Sequence, residues 1–140
     1  QEQWDTLYNR SILIIDRDEQ ERIHVAKKLK DKGFKNVNAL GKNKETVERV
    51  RALKPDIVVL DMGWEFMSTF DFCREIKAME NRPKLILIAE TLQSNDAATA
   101  KAVGAEGFVV KTAECELLIK IMPKLDFSQV KKPDAKPLEY

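Results

Sequence analysis

Two apolar runs in this chain stop abruptly at a carboxylate, and a third stops at an ammonium. Ser11-Ile12-Leu13-Ile14-Ile15 ends in Asp16, Ile57-Val58-Val59-Leu60 ends in Asp61, and Gly107-Phe108-Val109-Val110 ends in Lys111. Continuous apolar runs rich in β-branched residues read as strands buried on both faces, which places these charges at strand ends. The chemistry on offer is that of two acids balanced by one cation. Each residue also has a plainer role. Asp61 could cap the loop that follows it, and Lys111 could neutralise two buried carboxylates, which a fold needs whether or not a ligand arrives.

The elements that position these charges follow from the rest of the pattern. A helix is predicted over Glu19–Lys32, with Ile23, Val25, Ala26 and Leu29 as apolar surface and Gly33 as its stop. A short strand over Asn36–Leu40 follows, then a helix from about Asn43 to Lys54 carrying Val47, Val50 and Leu53 and closed by Pro55. After the strand ending in Asp61, residues 62–67 read as a loop. Ser68 or Thr69 caps a helix to about Met79 whose inner face holds Phe72, Ile76 and Met79. Lys84–Ala89 is a further buried strand, Ser94 or Asn95 caps an alanine-rich helix ending at Gly104, and Glu106–Lys111 is the last strand. Leu117, Leu118, Ile121, Met122 and Leu125 mark a final helix. Five strands alternating with five helices specify an α/β fold, a doubly wound five-stranded parallel sheet of flavodoxin-like topology. Sites in such sheets lie at the carboxyl ends of the strands, where Asp16, Asp61 and Lys111 all fall.

Composition narrows the function classes. The chain has 140 residues, 44% hydrophobic and 34% charged, with a formal net charge of +1. That suits one soluble domain and gives no general pull toward nucleic acid or membrane. No apolar run approaches the roughly 20 residues a membrane-spanning helix needs. The expected division is a lead-in of residues 1–10, a domain over 11–128 and a tail or linker over 129–140. Within the lead-in, one helical turn would bring Trp4, Leu7 and Tyr8 together, on the domain or facing a partner. Cys73 and Cys115 are far apart, inside predicted helices and without metal-ligand spacing, as expected of reduced structural thiols in a cytoplasmic protein. His24 reads as a surface histidine. Ala97, Ala98, Ala100 and Ala102 read first as helix filler and second as small residues that permit close approach of a partner. Trp64 and Phe66, in the loop after Asp61, read first as packing and second as a docking surface.

Over roughly Ser11 to Asp126 the chain resembles the receiver domains of bacterial response regulators, the CheY-like family. The resemblance rests on Ile12-Leu-Ile-Ile-Asp16, Pro55-Asp-Ile-Val-Val-Leu-Asp61 and Gly104-Ala-Glu-Gly-Phe-Val-Val-Lys111 taken together. It implies Asp61 as phosphoacceptor for a histidine kinase, Asp16 as an acidic residue of a magnesium site, and Lys111 as the cation paired with phosphate. It implies a metal set of Asp16, Asp61 and Gly63. The departures matter equally. Arg17 stands at the second acidic position, Ala89 at the position of a switching Ser or Thr, Glu65 at a usual proline, Thr69 at a usual glycine and Thr112 at a usual proline. Phe108 keeps the switching aromatic without a hydroxyl.

A family pocket of three carboxylates and one lysine carries a formal charge of about −2 and invites a divalent cation. Asp16, Arg17, Asp61 and Lys111 sum to about zero. An inward Arg17 would oppose magnesium by several kcal/mol at about 4 Å, whereas an outward one would leave a weaker site aided by Asp18. At most a weak Mg2+ site is therefore expected. Without a hydroxyl at Ala89, phosphorylation is expected to couple poorly to shape. The resulting expectation is a non-enzymatic, atypical receiver that acts on protein partners, a histidine kinase or a downstream effector, with a candidate homodimer surface on the fourth helix, fifth strand and fifth helix counted from Glu19. The alternatives are a working phosphoacceptor at Asp61, and a flavodoxin-like small-molecule-binding domain, which the absence of a glycine-rich phosphate loop disfavours.

Overall fold

The apolar residues of the central strands alternate between two cores, and this alternation builds the domain. Ile12 and Ile14 of the first strand, Ile57 and Val59 of the third and Ile86 and Ile88 of the fourth face one layer of helices. Leu13 and Ile15, Val58 and Leu60, and Leu85 and Leu87 face the other. A strand apolar on both faces is stable only when helices cover it on both sides. The computed structural model describes residues 3–62, 69–91, 93 and 96–128. The predicted loop residues Gly63, Trp64, Glu65 and Phe66, the caps Ser68, Ser94 and Asn95, and the tail from residue 129 lie outside the described residues.

Elements follow in the order α1 (Trp4–Leu7), β1 (Ser11–Ile15), α2 (Glu19–Lys32), β2 (Asn36–Leu40), α3 (Thr46–Leu53), β3 (Ile57–Asp61), α4 (Thr69–Lys77), β4 (Lys84–Ala89), α5 (Asp96–Ala102), β5 (Gly107–Val110) and α6 (Glu116–Ile121), with a 3-10 turn over Met122–Lys124. The five strands are parallel in the order β2-β1-β3-β4-β5. This is the predicted α/β architecture, a five-stranded parallel sheet of receiver topology. Because β1 has β2 on one side and β3 on the other, strand order reverses there, and Asp16 and Asp61 flank that crevice.

Helix α2 starts and stops where its sequence directs. Asp18 is the N-cap, its Oδ1 accepting the amides of Gln20 at 2.9 Å and Glu21 at 3.3 Å. Gly33 ends it at φ +132°, a conformation that side chains strongly resist. Val25 and Leu29 are buried, but Ile23, predicted as apolar surface, is 54% exposed. Helix α3 begins three residues later than predicted, because side chains take over the backbone from Asn43 to Thr46 and fold it as a turn. Thr46 Oγ1 accepts the Asn43 amide and donates to the Gly41 carbonyl, both at 2.9 Å, and Asn43 Oδ1 accepts the Glu45 amide. Cys115 sits one residue before α6 in a left-handed conformation rather than inside a helix, and Leu125 lies beyond the 3-10 turn. Both thiols are free and buried.

The lead-in packs on the domain. Leu7 is fully buried, and Trp4 and Tyr8 lie against Phe34 with ring centroids 6.3 and 5.2 Å away. No helix among the described residues is long and apolar enough to cross a membrane.

Candidate functional site

Each strand of this sheet delivers its carboxyl end to one edge, and four of those ends bring a charge to the same place. Asp16 follows β1 directly and is buried at 2% exposure. Asp61 is the last residue of β3. Lys111 follows β5, and its Nζ lies 3.1 Å from both Asp16 Oδ2 and Asp61 Oδ1, with Glu21 Oε1 at 4.0 Å. The three residues picked from sequence therefore meet.

The fourth charge is Lys42, two residues past β2, which the sequence reading passed over. Its Nζ donates to the Asp61 main-chain carbonyl at 2.7 Å and to Asp61 Oδ2 at 3.0 Å, and its side chain is only 1% exposed. Neighbouring strands lie about 4.8 Å apart, so a group on β2 must cross β1 to reach β3. The long lysine stem and the tight turn at Gly41 make that reach. A Cβ on Gly41 would come within 3.3 Å of Arg22 Nη1, and that same nitrogen donates to the carbonyls of Asp16 at 3.1 Å and Arg17 at 3.4 Å. Arg22 thus fixes the backbone after β1 beside the turn that carries Lys42. The available signal was positional, since Gly41-Lys42 stands past a strand end just as Asp16 and Lys111 do.

Electrostatics follow from this packing. Burial pulls Lys42 below its ordinary 10.5, against the hydrogen bond and charge of Asp61. Burial also works against the charge on Lys111, but there the Asp61 charge, the Asp16 hydrogen bond and the Asp16 charge outweigh it and hold the ammonium above its ordinary value. The two carboxylates that these ammoniums touch are matched charge for charge, with Glu21, 4.0 Å from Lys111, as a further acid at the edge.

Arg17 is exposed and stands at the rim of the cleft over the cluster, a cavity of about 340 Å³ that Asp16, Asp61, Met62, Ala89 and Lys111 also line. Asp18 caps α2 through Oδ1 and also lines the cleft. Ala89, the last residue of β4, presents a methyl group to this cleft where relatives are expected to present a hydroxyl. Phe108 is half-buried and packs with the core on the α3, α4 and α5 side of the sheet. His24 is exposed, with Nε2 2.6 Å from the Ala113 carbonyl.

The donor set can be tested against a magnesium ion, which takes near-octahedral oxygen ligands at about 2.0–2.1 Å. Asp16 Oδ1 accepts the Asp18 amide at 2.9 Å and Asp16 Oδ2 faces Lys111. Asp61 Oδ1 faces Lys111, and Oδ2 faces Lys42. Every carboxylate oxygen of the pair already has a protein donor. Among the described residues no group of three or more acidic, histidine or cysteine side chains is arranged to hold a metal. A divalent ion bound to Asp61 would therefore share each carboxylate oxygen with an ammonium, whose charge opposes it.

Residues 12–122 match the family model of the response regulator receiver domain. The chain is 33% identical over 104 residues to the transcriptional regulatory protein YvrH of Bacillus subtilis, covering 74% of this chain and 43% of that protein. It is 30% identical over 122 residues to the DNA-binding response regulator MtrA of Mycolicibacterium smegmatis, covering 86% and 52%. The chain thus spans about half the length of these relatives. Among solved structures, the chemotaxis response regulator CheY4 of Vibrio cholerae superposes with a TM-score of 0.72 at 21% identity, over 83% of this chain and 98% of that one. The response regulator TrrA of Thermotoga maritima, solved in complex with Mg2+ and beryllium fluoride, gives 0.71 at 21% identity, over 82% and 97%. With its sheet order, its strand-end carboxylates and lysine, and a family match over most of its length, the chain belongs to the response regulator receiver domains, a family of non-enzymatic signalling modules.

Proposed function

We propose that this chain is an atypical receiver of a two-component system, working in the cytoplasm through contacts with protein partners, with phosphorylation at Asp61 lost or weakly coupled to a change of shape. The observation that carries this reading is Lys42 on Asp61: Lys111 at Oδ1 is the cation the resemblance implies, and Lys42 adds a second ammonium at Oδ2. Phosphoryl transfer to a carboxylate depends on positioning and on charge stabilisation of the incoming group, which metal ions commonly supply. Here protein cations hold the acceptor from both sides.

Ala89 supports the second half of the reading. A methyl group cannot hydrogen-bond a phosphoryl oxygen, so no pull is exerted through β4 on the helices beyond. Phe108 has no hydroxyl to exchange partners and is already packed with the core. The partners that fit this reading are a histidine kinase or a downstream effector. A homodimer through α5, β5 and α6 is a further candidate, Leu117 of α6 being 41% exposed.

One observation favours the second reading, a working phosphoacceptor. Asp61 lines an open cleft, and Lys111 stands beside it as the resemblance requires. The two readings separate on incubation of the full chain with acetyl phosphate and MgCl2, followed by intact mass and size-exclusion chromatography. The expected result is little or no phosphorylated species and an unchanged elution volume. Stoichiometric phosphorylation that disappears in Asp61→Asn and shifts the elution volume would establish the second reading instead.

A further inference from the structure

We infer that Lys42 is the resident cation of this pocket, its ammonium holding the Asp61 carboxylate and main-chain oxygens in the role a divalent ion would otherwise take, so that the Asp16 and Asp61 carboxylates are matched charge for charge without metal. The inference deepens the atypical-receiver reading and rests on it.

Three observations converge. Burying a lysine is costly unless its charge is paired and its N–H groups are satisfied, and the Lys42 side chain is 1% exposed with two acceptors on the same residue. Its turn is built for the task. Thr46, itself 1% exposed, bonds the Gly41 carbonyl and the Asn43 amide on either side of Lys42, and Arg22 packs against Gly41. Finally, the acceptors of Lys42 are a carboxylate and a carbonyl oxygen, the hard oxygens that bind Mg2+. A tethered ammonium at 3.0 Å from Asp61 Oδ2 and a free Mg2+ on that oxygen would lie within about 5 Å of each other and repel. The tethered cation carries no cost of association from solution, and its effective local concentration is of millimolar order or above.

The inference separates Lys42 from Arg17. Both are positive residues near the acidic pair, but only Lys42 is buried against it, whereas Arg17 stands exposed at the rim.

The experiment is calorimetric titration of the full chain with MgCl2 alone, without phosphodonor, for wild type and Lys42→Met, with circular dichroism to verify the fold. Methionine keeps most of the stem and removes the charge. Wild type is expected to show no saturable heat at millimolar MgCl2, and Lys42→Met to bind at least roughly tenfold more tightly, one repelling unit charge having been removed. Equal magnesium affinity in the two proteins would overturn the inference.

Should Lys42→Met fail to fold, the wild-type lysine ammonium NMR spectrum decides, with the Lys42 resonance assigned through Lys42→Arg. A solvent-protected Lys42 resonance unmoved by MgCl2 supports the role, and one that shifts to saturation with MgCl2 refutes it. Failure here is distinct from failure of the atypical-receiver reading. Magnesium binding in wild type removes the role of Lys42 whatever a phosphodonor does, while phosphorylation of a chain that binds no free magnesium removes only the claim about Asp61.

Discussion

Thr46 closes the turn that carries Lys42, its hydroxyl donating to the Gly41 carbonyl at 2.9 Å from a position almost wholly buried. The group that touches Asp61 is therefore placed by a residue that touches neither Asp61 nor Lys111. Thr46→Val keeps the shape and removes the hydroxyl, leaving the Gly41 carbonyl and the Asn43 amide without this partner. A destabilisation of about 1–3 kcal/mol is expected by urea denaturation. The Lys42 ammonium resonance should also exchange faster with solvent. A change in stability with no change in that exchange would make Thr46 a cap and nothing more.

Arg17→Asp restores the family's second acidic residue, but the structure leaves Lys42 on Asp61 in that variant. No saturable magnesium binding is expected from Arg17→Asp by itself, whereas the double variant with Lys42→Met should bind more tightly than either single one. Calorimetry on the four proteins forms a cycle. Full recovery of binding in Arg17→Asp would mean that the exposed arginine, and not the buried lysine, governs the site.

Alkaline stability should be governed by groups away from the cleft as well as in it. Burial pushes the Cys73 thiol up from 9.0 to about 12. The unfolded chain releases that proton first, so stability present below pH 9 is lost as pH rises toward 12. At pH 10 the loss is about 1.4 kcal/mol from this one group. Lys111, raised in the folded state, has the same sign, its contribution vanishing as pH passes through its folded value, while Lys42, lowered, has the opposite sign and partly offsets it. Urea unfolding at pH 7 and pH 10 should show a smaller drop for Cys73→Ala than for wild type, although Cys73→Ala is less stable at pH 7 through its cavity.

Gly33 ends α2 at φ +132°, and a Cβ there would lie 3.0–3.2 Å from three ring atoms of Tyr8. Gly33→Ala is therefore expected to cost roughly 2–3 kcal/mol, combining backbone strain with displacement of the Tyr8 ring. Tyr8→Ala in the same background should recover the steric part alone. Strictly additive losses in that double-mutant cycle would show that the ring does not press on this turn.

Much of this architecture was legible in the residues themselves. The interiors of β1, β3 and β4 (residues 12–15, 57–60 and 85–89) are unbroken apolar runs, so their identity as buried strands needs no knowledge of their neighbours, and Gly33 marks the end of α2 to the residue. Asp16, Asp61 and Lys111 announce themselves because each interrupts such a run. Lys42 does not. It follows Asn36-Val-Asn-Ala-Leu40, an edge strand whose alternating polar residues give a weak signal, and its partner lies two strands away. Only the order β2-β1-β3 turns a lysine after an edge strand into a neighbour of Asp61. The direction of Arg17 was illegible for a related reason, since a side chain at a strand end can turn either way and its sequence neighbours do not choose.

Lys42 and Lys111 come from the loops after β2 and β5, the two outermost strands of the sheet, and meet over Asp61 near its centre. The pair works as a strut across the mouth of the domain, with one carboxylate as its keystone. Loops from both flanks of the sheet therefore converge on a single carboxylate, each meeting a different one of its two oxygens.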